Sequence, residues 1–411
     1  MVYTRVSKTR GGNPVRVQVS PPAPRVFTMP TPDPPLFVCL QHATDCAARA
    51  GRLATPHGCI ETPAFMPVGT RATVKMLTPA ELHTLGTQII LANTYHMLTR
   101  PGAEIIAAHG GLHRFMAWDG PILTDSGGFQ VYSLADLRNI TDAGVRFKSH
   151  IDGSALFLGP REAMQMQHTL GSDIAMAFDE CPPSTADRAI IEEAVRRTLA
   201  WARVCLACRD AHQQAGSRQL LFGIVQGGVH DDLRLHCLEE LCALPFDGFA
   251  IGGLAVGEAP EEMYRVTELC ARHLPADQPR YLMGVGRPED IVQAVVRGVD
   301  MFDCVMPTRN ARNGSAFTAD GDLAIKSGRF KDDLRPVEPG CACYACRTFT
   351  RAYIRHLLNV GEALGGQLLT MHNLHFYLTL MRDLRAALQA NQLTAFARAF
   401  LARRAAGQSA D

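Results

Sequence analysis

The run Val299-Asp300-Met301-Phe302-Asp303-Cys304-Val305-Met306-Pro307-Thr308-Arg309 reads as a short apolar strand that carries one carboxylate, Asp303, to its end and breaks at Pro307. Burying a charge among Val, Met, Phe and Cys is costly unless it is paired or used; a salt-bridged structural aspartate is the plain alternative. Other short apolar runs end in the same way. In order they deliver Asn93, Asp125-Ser126-Gly127-Gly128-Phe129-Gln130, Asp179-Glu180-Cys181, Gln226-Gly227-Gly228, Gly252-Gly253-Leu254, Met283-Gly284-Val285-Gly286 and Asp303. Each has an ordinary reading alone, since Gly pairs make turns and Phe129 or Met283 would serve a core. Gathered at one mouth, they suit a flat polar ligand. Asp179 can accept two N–H bonds from an amidine-like edge, and Gln226 can donate to a carbonyl. The Gly turns bare backbone N–H and C=O groups, and Phe129 and Met283 can sandwich a ring. This describes a purine pocket selective for guanine. Asp125 and Asp303 are then left for a glycosidic carbon, one as nucleophile and one as acid/base, as in retaining glycosidases. A covalent intermediate would preserve stereochemistry and let a second base replace the first.

A second constellation is Cys341-x-Cys343-x2-Cys346, with His372 26 positions after the last cysteine. Three thiols and one imidazole complete a tetrahedral Zn²⁺ shell, and filling all four positions from the protein makes such a site structural rather than catalytic. His375, or less readily His356, could replace His372 as fourth ligand. Cys205-x2-Cys208 lies in a helical pattern without partners and reads as core packing.

These groups need strands to position them. Candidate strands are 63–67, 88–93, 121–125, 173–179, 220–226, 248–252, 281–285 and 299–304, all continuous apolar runs as expected for strands buried on both faces. Helices fall between most of them. Thr78-Pro79-Ala80-Glu81 is a capping box with Pro at the first helical position, and helical spacing covers 160–170, 186–215, 231–243, 260–273 and 288–297. A hairpin-like piece at 145–151 interrupts the alternation as an insertion. Eight strand–helix steps over roughly 250 residues point to an α/β (β/α)8 barrel. The rival is an open doubly wound sheet, but no G-x-G-x-x-G follows the first strand.

The chain has 411 residues, 47% hydrophobic, with a net charge of +1, so a large core is available and a disordered type is excluded. The neutrality hides a basic segment from 309 to 355, where Arg309, Arg312, Lys326, Arg329, Lys331, Arg335, Arg347, Arg351 and Arg355 face Asp320, Asp322, Asp332, Asp333 and Glu338. Such a face attracts phosphates or is simply solvated. The 13 cysteines are scattered in apolar runs, and no signal peptide or membrane-spanning run occurs. Reduced thiols in a cytoplasmic protein, with no membrane contact, are expected. Residues 1–35 are Pro-rich and basic and read as a disordered leader; Met29 could be the true start.

Taken together, Asp125–Gln130, Phe178–Cys181, Phe222–Gly227, Gly252–Glu258, Tyr281–Gly286, Phe302–Cys304, Pro307–Arg309 and the Cys-x-Cys-x2-Cys…His set resemble tRNA-guanine transglycosylase, in order and spacing, from about Leu36 to the C-terminal helices. The resemblance implies a barrel over residues 36–308 and a zinc-binding, tRNA-contacting and dimerising helical part over 309–411. It implies exchange of guanine for a 7-deazaguanine at the wobble position of tRNAs with a GUN anticodon. By it, Asp303 is the nucleophile at ribose C1′ and Asp125 the general acid/base. Asp179, Gln226 and Gly253 read the base, Leu254 offers a carbonyl to the aminomethyl group of preQ1, and Phe129 and Met283 stack. Many bacterial members have Tyr where this chain has Phe129. Cys181 and Val256 match the bacterial, preQ1-using pattern, Val256 filling the space that queuine's cyclopentenediol would need. Glu258 matches the residue that lets the Leu254 peptide turn either way. Arg309, Arg312 and Arg287 are expected to contact the tRNA, and Phe349, Tyr353, His356 and Phe115 to lie in a homodimer interface. The alternatives are a non-catalytic tRNA-binding homologue, against which Asp125, Asp179 and Asp303 argue together, and an ordinary retaining glycosidase. The latter wants a Trp-lined cleft; Trp118 and Trp201 are the only tryptophans.

Overall fold

The computed structural model describes residues 36–129 and 138–408. The expected leader and Gln130 lie outside that range. Three short strands come first, β1 (Phe37–His42), β2 (Arg49–Thr55) and β3 (Gly58–Thr62), paired antiparallel in sequence order. Then β4 (Ala64–Gly69), β5 (Ile90–Ala92) and β6 (Ile122–Thr124) begin the barrel. After an inserted antiparallel sheet of β7 (Arg138–Thr141), β8 (Gly144–Lys148) and β9 (Ala155–Leu158), it continues as β10 (Ile174–Met176), β11 (Leu220–Val225), β12 (Gly248–Ile251), β13 (Arg280–Leu282) and β14 (Met301–Cys304). These eight strands pair in parallel and close in the order β10-β11-β12-β13-β14-β4-β5-β6. The fold is a TIM barrel, and each of its strands falls on one of the runs anticipated from sequence. Every residue of β4 and of β11 is buried, which is why their hydrophobicity is unbroken rather than alternating.

The helices match the expectation closely. Thr78 caps Pro79–Leu85 through a reciprocal bond pair with Glu81, and Pro160–Leu170, Arg188–Gln214, Asp231–Cys242, Pro260–His273 and Pro288–Val296 fill the crossovers. Two features differ from the sequence reading. The sheet β1–β3 was not anticipated; in β1 only Phe37 is buried, and the rest alternates exposed and half-buried residues, a weak signal in so short a strand. Its Phe37, Leu53 and Ile60 join the barrel interior beside Met66, Leu123 and Ile174. The turn at His57 also bonds through its N–H to Asp173, just before β10 (3.0 Å). This sheet therefore plugs the N-terminal end of the barrel and leaves the C-terminal end open. The insertion is also larger than a hairpin, having three strands, and β8 stops at Lys148 rather than running to Ile151. There Ser149 Oγ accepts the Ile151 N–H and Asp152 accepts the Ser154 N–H, turning the chain by side-chain capture of the backbone.

Past the barrel come the helix Met306–Asn313, the hairpin β15 (Ser315–Thr318) and β16 (Gly321–Ala324), and the helices Tyr344–Thr348, Arg351–Val360, Ala363–Gln389 and Leu393–Gln408. Asn373 pins the long helix by donating to the carbonyls of Pro307 and Ser315 (both 3.0 Å) and accepting the Phe317 N–H. Among the described residues no helix is long and apolar enough to cross a membrane.

Candidate active site

The open end holds a cavity of about 310 Å³. Asp125, Asp179, Asp303, Gln226, Gly253, Leu254, Cys181, Phe129, Met283 and Arg309 all line it, joined by Val256, Tyr281 and Cys304. Glu258, Arg287 and Arg312 do not. A larger hollow of about 580 Å³ beside Cys341 and Phe400 gathers none of the strand-end groups, so size alone would misplace the site.

Two aspartates, Asp300 just before β14 and Asp303 within it, have opposite fates. Asp300 is fully buried and clamped by Arg49, with Nε to Oδ1 at 3.0 Å and Nη2 to Oδ2 at 2.6 Å. Among the described residues Asp303 pairs with no cation. Its Oδ1 accepts the Tyr281 hydroxyl at 2.5 Å and the Gly284 N–H at 2.8 Å. Its Oδ2 accepts no hydrogen bond among the described residues, which leaves one carboxylate oxygen available on the cavity side. Burial pushes the Asp303 carboxyl above its ordinary range, against the pull of those two donors.

Asp125 follows β6. Its Oδ1 accepts the Thr94 N–H at 2.8 Å, its Oδ2 accepts from Asn93 Nδ2, and the Thr94 hydroxyl donates to its carbonyl. Asn93 and Thr94 stand directly after β5, so two neighbouring strand ends orient this carboxylate. Asp179 is tied to Gln226 Nε2 (2.7 Å) and Ser126 Oγ (3.3 Å). Burial pushes it up to about 6, opposed by those bonds. Burial also raises the Cys181 thiol to about 12, so that side chain stays neutral in the pocket.

The Gly turns have a specific cause. Gly253 has φ +63, and a Cβ there would meet Gln226 Oε1 at 2.3 Å. The buried Arg234 guanidinium then ties the turns together, donating to the carbonyls of Gly228 (2.8 Å), Val225 (2.8 Å), Gly252 (2.7 Å) and Gly253 (3.2 Å). Glu258 accepts the Ala255 N–H and the Val256 N–H (3.1 Å). Across a planar trans peptide N–H and C=O point in opposite directions. An Ala255 N–H turned towards Glu258 therefore turns the Leu254 carbonyl away from it. Ala255 itself sits at φ +57, a conformation that costs energy in a residue with a Cβ. Phe129 is 46% exposed, an open ring face rather than a core side chain, and Met283 is half-buried.

Sequence reasoning missed Thr94, Arg234 and the role of the Tyr281 hydroxyl. Thr94 could have been found from its place after a strand end. Arg234 reads as an ordinary helix arginine, and only its complete burial marks it.

Cys341, Cys343, Cys346 and His372 converge below the C-terminal helices, with all four ligand atoms within 4.8 Å of one another. The sulfurs stand 3.7, 3.7 and 3.3 Å from His372 Nδ1. Ligand distances of about 2.3 Å to sulfur and 2.0–2.1 Å to nitrogen give tetrahedral S···N edges of about 3.6 Å, so the spacing fits a four-coordinate ion. His372 Nε2 lies 2.8 Å from the Phe317 carbonyl, the kind of contact that frees Nδ1 as a ligand. His375 reaches only Cys341 of the three thiols (3.7 Å), whereas His372 reaches all three. Cys205 is buried and accepts the Phe178 N–H at 3.4 Å, as core packing requires.

The family model described as Queuine tRNA-ribosyltransferase matches residues 45–406. A Queuine tRNA-ribosyltransferase of Staphylococcus aureus (strain bovine RF122 / ET3-1) is 53% identical over 366 residues, covering 88% of this chain and 96% of that protein. One from Nitrosomonas europaea is 54% identical over 359 residues, covering 87% and 95%. With the barrel and the cysteine cluster inside the residues that the family model matches, the chain belongs to the queuine tRNA-ribosyltransferase family, a family of tRNA-modifying pentosyltransferases.

Proposed function

We propose that the protein exchanges guanine at the wobble position of GUN-anticodon tRNAs for preQ1, by double displacement through a covalent Asp303–ribose intermediate. One observation carries this reading above the others: a carboxylate with no cation partner and one unbonded oxygen stands in the same cavity as Asp125 and the Asp179–Gln226 pair. In the first displacement Asp303 Oδ2 bonds to C1′, the C1′–N9 bond breaks, and Asp125 hands a proton to the departing guanine. In the second, Asp125 takes the proton from N9 of the incoming base, the new C–N bond forms at C1′, and the aspartyl ester releases Asp303. Two inversions restore the original configuration, as in retaining glycoside transfer.

Asp179 accepts from the N1–H and amino edge of the base, Gln226 and the Gly253 backbone meet its carbonyl side, and Phe129 and Met283 hold its faces. The Leu254 carbonyl, turned away from Glu258, meets the aminomethyl ammonium of preQ1, while Val256 leaves no room for a ring on that nitrogen. Arg309, Arg312 and Arg287 contact the RNA. Cys341, Cys343, Cys346 and His372 would hold a Zn²⁺ that ties the loop to the long helix, and with four protein ligands it would supply no chemistry. Tyr353, 40% exposed, stacks on Phe349 with ring centroids 5.3 Å apart; with His356 and Phe115 these rings would meet a second copy in a homodimer. We place the enzyme in the cytoplasm, where its tRNA substrate is.

The test is incubation with a GUN-anticodon tRNA and labelled guanine or preQ1. Label should enter the RNA, and a protein–RNA adduct should be trapped from the wild type but not from Asp303→Asn. An adduct that persists in Asp303→Asn would remove that residue from its role; absence of any exchange would end the reading.

A further inference from the structure

The floor of the barrel, at the end away from the catalytic mouth, gathers a second set of side chains able to do chemistry. His57 lies in the turn between β2 and β3, His113 on the short helix Leu112–Met116 before β6, and Asp173 just before β10. Asp173 stands 116 positions from the first histidine and 60 from the second, yet one ligand atom from each of the three lies within 4.8 Å of the others. Asp173 Oδ1 is 2.8 Å from His57 Nδ1, and Oδ2 is 3.2 Å from His113 Nε2. Each oxygen also accepts a backbone N–H, from His57 (3.0 Å) and from Ile122 (2.8 Å). Those two bonds fix the carboxylate independently of the rings.

A buried carboxylate needs a compensating charge. Asp173 is buried, and among the described residues only the two histidines pair with it, no lysine or arginine. Asp300, equally buried, has Arg49 at 2.6 Å. Protonating both imidazoles is no remedy, because their rings are stacked with centroids 3.6 Å apart and planes 18° from parallel, so two imidazolium charges would face each other. A single imidazolium would balance the charge without explaining why two rings converge on one carboxylate. A divalent cation meets both demands: it neutralises Asp173 while each ring stays uncharged, with its hydrogen on the other nitrogen. The spacing agrees. Ligands bound at about 2.1 Å and at right angles stand about 3.0 Å apart, and the two oxygen–nitrogen separations bracket that value. The Gly120 carbonyl, 3.1 Å from His113 Nε2, is a further oxygen donor. Water reaches the group through a cavity of about 210 Å³ lined by both His57 and Asp173.

We propose that His57, His113 and Asp173 bind one divalent first-row metal ion, Zn²⁺ or a neighbour of it, and that this ion clamps the plugging sheet to the floor of the barrel. Two imidazoles with one carboxylate suit such an ion, whereas Ca²⁺ and Mg²⁺ want oxygen ligands. The ligands come from the plug, from the segment that enters β6 and from the start of β10, so the ion fastens three distant segments at once. The unfolded chain offers no preformed set of this kind, and binding therefore stabilises the folded state. The site stands at the opposite end from the base pocket and takes no part in exchange.

The probe is Co²⁺ added to the full-length protein after its cysteine cluster has been loaded with zinc. The wild type should take up one cobalt per chain, with weak visible d–d absorption and no thiolate charge-transfer band, and its unfolding midpoint should rise with cobalt concentration. His57→Gln and His113→Gln should each weaken uptake by at least about tenfold, the loss that removing even a supporting partner of a metal ligand brings, and both should keep their zinc. The His57 side chain is 40% exposed in a turn, so that variant keeps its fold. His273→Gln, at an exposed histidine whose Nδ1 meets the Leu269 carbonyl, should behave as the wild type. No uptake by the zinc-loaded wild type would overturn the inference. Uptake that survives in both histidine variants would mark binding elsewhere on the surface and overturn it too, as would thiolate bands, which place the cobalt in the cysteine cluster. Uptake lost in the variants without any rise in the wild-type midpoint would overturn the clamp.

Discussion

Removing one oxygen, in Tyr281→Phe, tests how the nucleophile is held. The Tyr281 hydroxyl and the Gly284 N–H are the two donors to Asp303 Oδ1, at 2.5 and 2.8 Å. Tyr281 is 1% exposed, so Phe fills the same space. A hydrogen bond to a charged group is worth about 1.5–3 kcal/mol net. Both donors favour the ionised carboxylate, and burial already opposes it. At about 1.4 kcal/mol per pKa unit, losing the hydroxyl should raise the Asp303 pKa and carry the acid limb of the exchange rate up by about 1 to 2 pH units. At a fixed pH on that limb the rate falls about tenfold or more, whereas above it the loss is small, because the carboxylate is then formed regardless. The assay is the initial rate of labelled guanine entering tRNA from about pH 5 to 9, with adduct yield measured alongside. An acid limb that stays where the wild type has it would refute the reasoning, whatever the size of the overall loss.

Cys343→Ser should leave the purified protein without its metal, read by elemental analysis, and expose the C-terminal helices to protease; full metal content would remove Cys343 from the ligand set. Val256→Gly should let queuine compete with preQ1 and guanine, measured as inhibition of guanine incorporation, and no change in base preference would sink the steric argument. Arg49→Met leaves Asp300 charged and unpaired in the interior, a loss of about 3–5 kcal/mol readable in a urea midpoint. The double variant Arg49→Met with Asp300→Leu should recover most of it, and a double variant no more stable than the single one would show that the pair is not the cause.

The barrel was legible because strands buried on both faces write themselves as unbroken apolar runs, and the polar residue ending each run marks the mouth. The plugging sheet β1–β3 was not, since its strands are half-exposed and its hydrophobic members, Phe37, Leu53 and Ile60, look ordinary until they are seen inside the barrel. Arg234 escaped for a related reason. A helix arginine is normally solvated, and nothing local says that four carbonyls, one from the end of β11 and three from Gly turns, will surround this one.

Residue order by itself determined how many strands the barrel has, which side chains stand at their ends, and which three thiols can share an ion, because each is written in a short local pattern. Tertiary structure decided what each charge is for. Asp300 and Asp303 stand three positions apart in one apolar run and look alike in the chain, yet only the fold brings Arg49, 251 positions away, onto the first. The pleat turns the second towards the open end, where a phenol and an amide hold one oxygen and leave the other bare. Pairing of that kind depends on contacts between distant segments, and no local pattern encodes them.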